Sequence, residues 1–236
     1  MLKLPDGITA CLFDLDGVIT QTARLHSAAW KEMFDTFLRE RSEQTGEPFQ
    51  EFTPSDYDRY VDGRPRLDGV RTFLQARGIE PDEELVRRLG HIKNDLVLKL
   101  IRERGVEVYE GSIDFVKEAK REGLRRAVVS SSANTREVLQ SVGIEDLFEA
   151  VVDGLVAQRE GLPGKPAPDT FIAGARALGA EPAQSVVFED ALAGVEAGCA
   201  GSFGYVVGVD RTGQRDALAV HGADIVVDDL SELIER

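Results

Sequence analysis

The chain has 236 residues, 42% of them hydrophobic, and a net charge of −14 from 42 Asp and Glu against 28 Lys and Arg. That length suits one large domain, or a core with an inserted lobe, and the apolar share is enough to fill a real core. The negative field argues against nucleic acid and anionic membranes as partners, and any phosphate site must bring its own cations or a metal. No apolar run approaches membrane-spanning length and Met1–Gly7 holds no apolar signal region, so the reading is a cytoplasmic protein. Cys11, in an apolar strand, and Cys199, in a small-residue helix, read as buried free thiols without metal-ligand spacing, which suits a reducing compartment.

The first predicted strand, Ile8–Phe13, runs into Asp14-Leu15-Asp16-Gly17. Side chains two apart on a strand face the same way, so Asp14 and Asp16 are expected to enter one site at the strand's carboxyl end. Open α/β sheets place their ligands at that end. Two such carboxylates repel unless a cation or a shared proton separates them. They are either a plain acidic turn, or a nucleophile and an acid/base with a metal between. From about Thr22 to Arg104 the pattern is helical: Ala28, Ala29, Met33, Phe34, Phe37 and Leu38 recur at helical spacing, as do Leu85, Leu89, Ile92, Leu96 and Leu100. Residues 21–105 therefore read as a helical lobe inserted after the first strand, with residues 1–20 and 106–236 as the core. Within the lobe Arg39–Thr53 is polar, carries Gly46 and Pro48, and reads as a loop.

Beyond the lobe, strands and helices alternate. Predicted strands are Leu124–Val129, Ala150–Val152, Ser185–Phe188, Tyr205–Val209 and Asp224–Val227; predicted helices are Ser112–Arg121, Asn134–Ser141, Pro168–Leu178, Ala191–Ala200 and Gly213–Val220. Such alternation argues for an α/β protein with a parallel sheet covered on both faces.

Three further features fall at predicted strand ends. Ser130 opens Ser-Ser-Ser-Ala-Asn, where a hydroxyl and the amides of a helix start make a phosphate corner or a plain N-cap. Lys165 stands in Gly-Lys-Pro-Ala-Pro-Asp, where two prolines fix the loop and the lysine is placed to neutralise a phosphate or an aspartate. Glu189-Asp190 supplies two acids after Ser185–Phe188, suited to the hard-oxygen preference of Mg²⁺ or to the dipole of the next helix.

Asp-x-Asp, then Ser, then Lys, then Glu-Asp, each at its strand end and in this order, resembles the haloacid dehalogenase superfamily over the whole chain. The resemblance implies a Rossmann-like, doubly wound parallel sheet with an inserted α-helical cap. It implies a two-step phosphoryl transfer in which Asp14 attacks phosphorus and Asp16 serves as acid, then base. Ser130 and Lys165 hold the transferring group. It implies Mg²⁺ held by Asp14, Asp190 and the Asp16 carbonyl, with Glu189 helping directly or through water.

The lobe resembles the β-phosphoglucomutase-like family more narrowly. His26 and Trp30 match that family's first cap helix and Thr22 its hinge threonine. Arg66, in Tyr60-Val-Asp-Gly-Arg-Pro-Arg, falls on the arginine that grips the distal phosphate, and Lys93-Asn94-Asp95 matches a segment facing the active site. Ser131 and Asn134 complete the expected substrate contacts, while Trp30 reads as packing. The implied reaction interconverts β-glucose 1-phosphate and glucose 6-phosphate through the 1,6-bisphosphate. The alternative is a Mg²⁺-dependent phosphatase of small sugar phosphates. Gln21, Ala133 and Glu110 depart from the family's usual residues, the first two at the rim that meets the sugar. The partner expected is a small phosphorylated sugar, and a monomer suffices because core and cap together would enclose the site.

Overall fold

The computed structural model describes residues 1–235, and the chain divides into two compact units. One comprises Met1–Gln21, Gly63–Pro65 and Val106 onward; the other comprises Thr22–Asp62 and Arg66–Gly105. Nothing in the sequence pattern sets the tripeptide Gly63–Pro65 apart from its neighbours.

The first unit is built on six parallel strands, β1 (Ala10–Phe13), β2 (Arg125–Val129), β3 (Ala150–Val152), β4 (Ser185–Glu189), β5 (Tyr205–Val209) and β6 (Ile225–Val227). They lie in the order β3-β2-β1-β4-β5-β6. Phe13 pairs with both Val128 and Phe188, so β1, β2 and β4 finish side by side. The chain reverses its progress across the sheet between β1 and β4, the position where doubly wound sheets open a crevice.

In the second unit the helices are α1 (Ala23–Thr45), α2 (Pro54–Asp56), α3 (Arg66–Ala76) and α4 (Glu83–Arg104), with a π-helical turn at Tyr57–Val61. The first unit continues with α5 (Glu110–Arg121), α6 (Thr135–Ser141), α7 (Gly154–Glu160), α8 (Asp169–Ala177), α9 (Leu192–Ala200) and α10 (Arg215–Val220). Among the described residues no helix is long and apolar enough to cross a membrane.

Strand alternation sorts the sheet's core. Phe13 stacks on Phe188 at 4.6 Å and meets Phe115 of α5 edge-on at 6.1 Å. On the opposite face Ala10, Leu12, Val129 and Val187 pack with Phe171 of α8 and with Val195 and Ala197 of α9. The helical unit has its own core, in which Phe34 lies between Trp30 at 5.3 Å and Phe73 at 4.1 Å.

Three expectations are corrected. First, α1 runs through Thr45, so the first half of the expected loop Arg39–Thr53 is helix. Arg, Glu and Gln favour a helix without supplying an apolar stripe. The helix stops where Gly46, at φ 77°, takes the left-handed cap and donates to the Ser42 carbonyl. Second, the inner stripe of α4 is Val86, Leu89, Gly90, Lys93, Val97 and Leu100, which leaves Ile92 exposed and buries a lysine. Third, Cys11 is buried but Cys199 is exposed. It sits in the last turn of α9, whose inward residues are Ala193, Gly194, Val195, Ala197 and Gly198. A helix of small residues shows too little contrast to reveal which side faces the core.

Candidate active site

The strand ends at Phe13, so Asp14 follows it and Asp16, bridged to Thr20, opens the tight turn at residues 17–19. The turn, rather than strand alternation, brings the two carboxylates together. Gly17 donates to the Thr20 carbonyl at 2.7 Å and Thr20 to the Leu15 carbonyl at 2.9 Å. Gly17 stands at φ +97°, where other residues are strained. A Cβ there would fall 1.8 Å from Asp190 Oδ2, so glycine also leaves room for the carboxylate carried on the end of β4.

Lys165 lies among these acids, 2% exposed. Its Nζ donates to Asp14 Oδ1 at 2.5 Å, to Glu189 Oε1 at 2.7 Å and to the Val129 carbonyl at 3.2 Å. Glu189 Oε2 accepts from the Ala191 N–H at 2.8 Å, so both its oxygens are engaged. Gly194 of α9 makes room for it, since a Cβ there would lie 1.7 Å from Glu189 Oε1. Burial works against the Lys165 ammonium, but Asp14 and Glu189 outweigh it and hold its pKa above the usual value. Burial pushes Glu189 up to about 7, against the pull of Lys165. Burial likewise raises Asp14, with Lys165 opposing and the Asp16 charge adding to the rise. One ammonium between two carboxylates thus leaves a buried excess of negative charge, which a cation would relieve.

Ser130, buried at the end of β2, has its Oγ 3.5 Å from Asp16 Oδ2 and accepts from the Ser132 N–H at 3.1 Å. The Ser131 hydroxyl donates to the Gly63 carbonyl at 2.7 Å, and Asn134 donates its N–H to Ser132 Oγ at 3.2 Å. Asp14, Asp16, Ser130, Lys165 and Glu189 thus form one connected group, and Asp190 lies against its Gly17 turn. Among the described residues no three His, Cys, Asp or Glu side chains are grouped to hold an ion alone. The donors available, Asp14, Asp16 and Asp190, are few and all hard oxygens. That fits Mg²⁺, which takes one or two carboxylates and fills its shell with water and substrate phosphate.

In the helical unit four expected residues also meet. Lys93 Nζ is 2.9 Å from His26 Nδ1 and 4.9 Å from the centroid of the Trp30 ring. An ammonium only donates, so His26 accepts through Nδ1 and keeps its proton on Nε2. Burial, then Lys93 and Arg66, lower the His26 pKa well below its usual value. Arg66, at the start of α3, donates through Nη1 to Asn94 Oδ1, while its Nε is buried without a partner. Gly90 of α4 gives α3 this close seat, because a Cβ there would meet Leu67 at 2.7 Å. Thr22 is buried just before α1, and its carbonyl accepts from the His26 N–H at 2.9 Å.

Two residues that touch the turn or the Asp190 backbone beside it were not anticipated. Arg211 Nε donates to the Gly17 carbonyl at 2.8 Å, and Gln214 Nε2 donates to the Asp190 carbonyl at 3.0 Å. Both lie just past β5, and the strand-end rule that singled out the other residues points to that loop as well.

The model of the haloacid dehalogenase-like hydrolases matches residues 8–200. The chain belongs to that family. It is 51% identical over 247 residues to a beta-phosphoglucomutase of Mycobacterium bovis, covering 99% of this chain and 94% of the relative. It is 33% identical to the beta-phosphoglucomutase of Bacillus subtilis, over 95% of this chain and 91% of that protein. Among solved structures, the beta-phosphoglucomutase of Clostridium difficile superposes with a TM-score of 0.78 at 27% identity, covering 96% of this chain and 93% of that one.

Proposed function

We propose that this enzyme is a phosphotransferase that converts β-glucose 1-phosphate to glucose 6-phosphate through glucose 1,6-bisphosphate. The observation that carries the reading is the pairing of two charge-matched sites within a family of phosphoryl-transfer enzymes. The sheet unit has a buried carboxylate, Asp14, beside a second carboxylate, Asp16, and a fixed ammonium, Lys165. The helical unit has an arginine with an unused buried donor beside a buried lysine. A mutase must bind two phosphates, and this chain supplies a cationic cluster beyond the one its carboxylates consume.

In the first half-reaction the phosphorylated Asp14 gives its phosphoryl group to the 6-hydroxyl of β-glucose 1-phosphate, and Asp16 takes the hydroxyl proton as the new P–O bond forms. The bisphosphate then turns over. In the second half-reaction Asp14 attacks the phosphorus on the anomeric oxygen, and Asp16 returns its proton to that oxygen as the bond breaks, leaving glucose 6-phosphate. Ser130 and Lys165 hold the transferring oxygens, where charge stabilisation matters most. Arg66 and Lys93, with Asn94, hold the other phosphate, for which a planar guanidinium is suited. His26, neutral, fixes Lys93. Asp14, Asp190 and the Asp16 carbonyl would hold Mg²⁺, and Glu189, committed to Lys165, would contribute through water. When bound, the ion supplies positive charge to the phosphoryl oxygens. Residues 21–105 act as the cap on the core formed by residues 1–20 and 106–236.

Phosphorus NMR tests the reading. Protein, Mg²⁺, β-glucose 1-phosphate and a trace of glucose 1,6-bisphosphate should yield glucose 6-phosphate with little free phosphate. Free phosphate accumulating instead would overturn the mutase and leave a phosphatase on the same carboxylates.

A further inference from the structure

We propose that Arg211 is a positioning residue for phosphoryl transfer, locking the Asp14–Gly17 turn by holding the Gly17 carbonyl from a fixed seat on Tyr109. The inference rests on the assignment of Asp14 and Asp16 to that chemistry. Arg211 follows β5 by two residues, and its side chain is 13% exposed. Its Nε donates to the Gly17 carbonyl at 2.8 Å, and its Nη1 donates to the Asp228 carbonyl at 2.6 Å and lies 3.7 Å from Asp229 Oδ2. The guanidinium carbon sits 3.5 Å from the centroid of the Tyr109 ring.

The seat is itself tied to the same turn. The Tyr109 N–H donates to the Ile19 carbonyl at 2.9 Å. The turn is therefore gripped at Gly17 by the guanidinium and at Ile19 by the residue on which the guanidinium rests. The loop that carries Arg211 is fixed in turn, because Asp210 Oδ1 accepts from the N–H groups of Thr212, Gly213 and Gln214 at 3.2, 2.7 and 2.9 Å. One loop thus braces Asp16 through Gly17 and Asp190 through Gln214.

Arg211 Nη2 is buried and has no partner. Buried donors are usually paired, and one left idle points to a demand other than stability. Here the guanidinium is turned so that Nε meets Gly17 while the plane rests on Tyr109, and the remaining nitrogen is left over. The backbone N–H of Asp16 donates to the Asp14 carboxylate, so a displaced Gly17 carries Asp16 away from Asp14 and Ser130. Misplacements of about 1 Å cost up to roughly 100-fold in rate. A lysine can reach one carbonyl but lacks the flat fork that serves two carbonyls while stacked on a ring.

The test compares wild type, Arg211→Lys and Arg211→Met by steady-state mutase kinetics and by hydrogen exchange of the Gly17–Thr20 amides. The expected result is a kcat lower by about 10- to 100-fold in both variants, KM for β-glucose 1-phosphate close to wild type, and faster exchange of those amides. Arg211→Lys should recover none of the loss. Wild-type kcat in either variant would overturn the proposal, as would full rescue by lysine, which would reduce Arg211 to a charge. A lost kcat with unchanged exchange would also overturn it. If wild type makes no glucose 6-phosphate, the mutase reading fails separately. Hydrolysis of p-nitrophenyl phosphate then supplies the rate on which the same comparison is made. Should Arg211→Met not fold, Arg211→Lys decides alone.

Discussion

The two units handle charge in opposite ways. In the sheet unit a cation is surrounded by acids: Lys165 bonds Asp14 and Glu189, and Asp16 and Asp190 stand beside them. In the helical unit Arg66 and Lys93 lie beside a histidine that stays neutral, with the amide of Asn94 as a bonding partner. The acidic site keeps Asp14 close to its own counter-ion, Lys165. The cationic site has donors to spare, shown by the buried Arg66 Nε. A substrate with two phosphates needs both kinds of site.

The largest effect expected from breaking this contrast is at Asp14. Asp14→Asn keeps the shape but removes the carboxylate proposed to attack phosphorus, and turnover should fall at least about 10⁴-fold. Intact-protein mass spectrometry should find no phosphorylated chain. A variant that still phosphorylates would move the nucleophile elsewhere in the sheet unit.

Next comes Lys165→Met, which leaves Asp14 and Glu189 buried without their ammonium. Removing one partner of a buried ion pair costs about 3–5 kcal/mol, to be read as a lower urea midpoint at neutral pH. An unchanged midpoint would mean that the pairing does not stabilise the fold.

The smallest effect concerns His26. Its native pKa is lowered, so between that value and the unfolded value of about 6.5 the unfolded chain binds a proton that the native chain does not. Stability therefore rises with pH across that window and declines on acidification, by at most about 1.4 kcal/mol per pH unit. Urea unfolding of wild type and His26→Gln at about pH 7.5 and 5.5 should show a steeper acid loss in wild type. Equal losses would mean that His26 does titrate freely and that the cluster tolerates a third positive charge.

Much of the sheet unit was legible because parallel strands buried on both faces read as short apolar runs, and ligands gather where those runs end. β3 and β5 have the residues expected of them, and Ser130 and Lys165 lie where their strand ends and proline loop point. What was not legible was the local route. Asp16 reaches Asp14 through a glycine turn, and the fit of Asp190 against Gly17 depends on an absent Cβ that no periodicity reports. The helical unit was harder. Its inward stripe on α4 passes through Lys93, and a rule that seeks apolar residues chose Ile92 instead. Lys93, spaced four from both Leu89 and Val97, was the available signal. The helical residues 39–45 carry no apolar stripe, so only their helix-favouring composition distinguished them from a loop.

The division of labour is tested most directly by Arg66→Ala, assayed for both functions in one preparation. Phosphorylation of Asp14 by acetyl phosphate, a donor with one small anionic group, should proceed at close to the wild-type rate. Conversion of β-glucose 1-phosphate to glucose 6-phosphate should drop by about 10- to 100-fold, the loss of one charged hydrogen-bonding partner. Equal losses in both assays, or none in either, would contradict the assignment of the second phosphate to the helical unit.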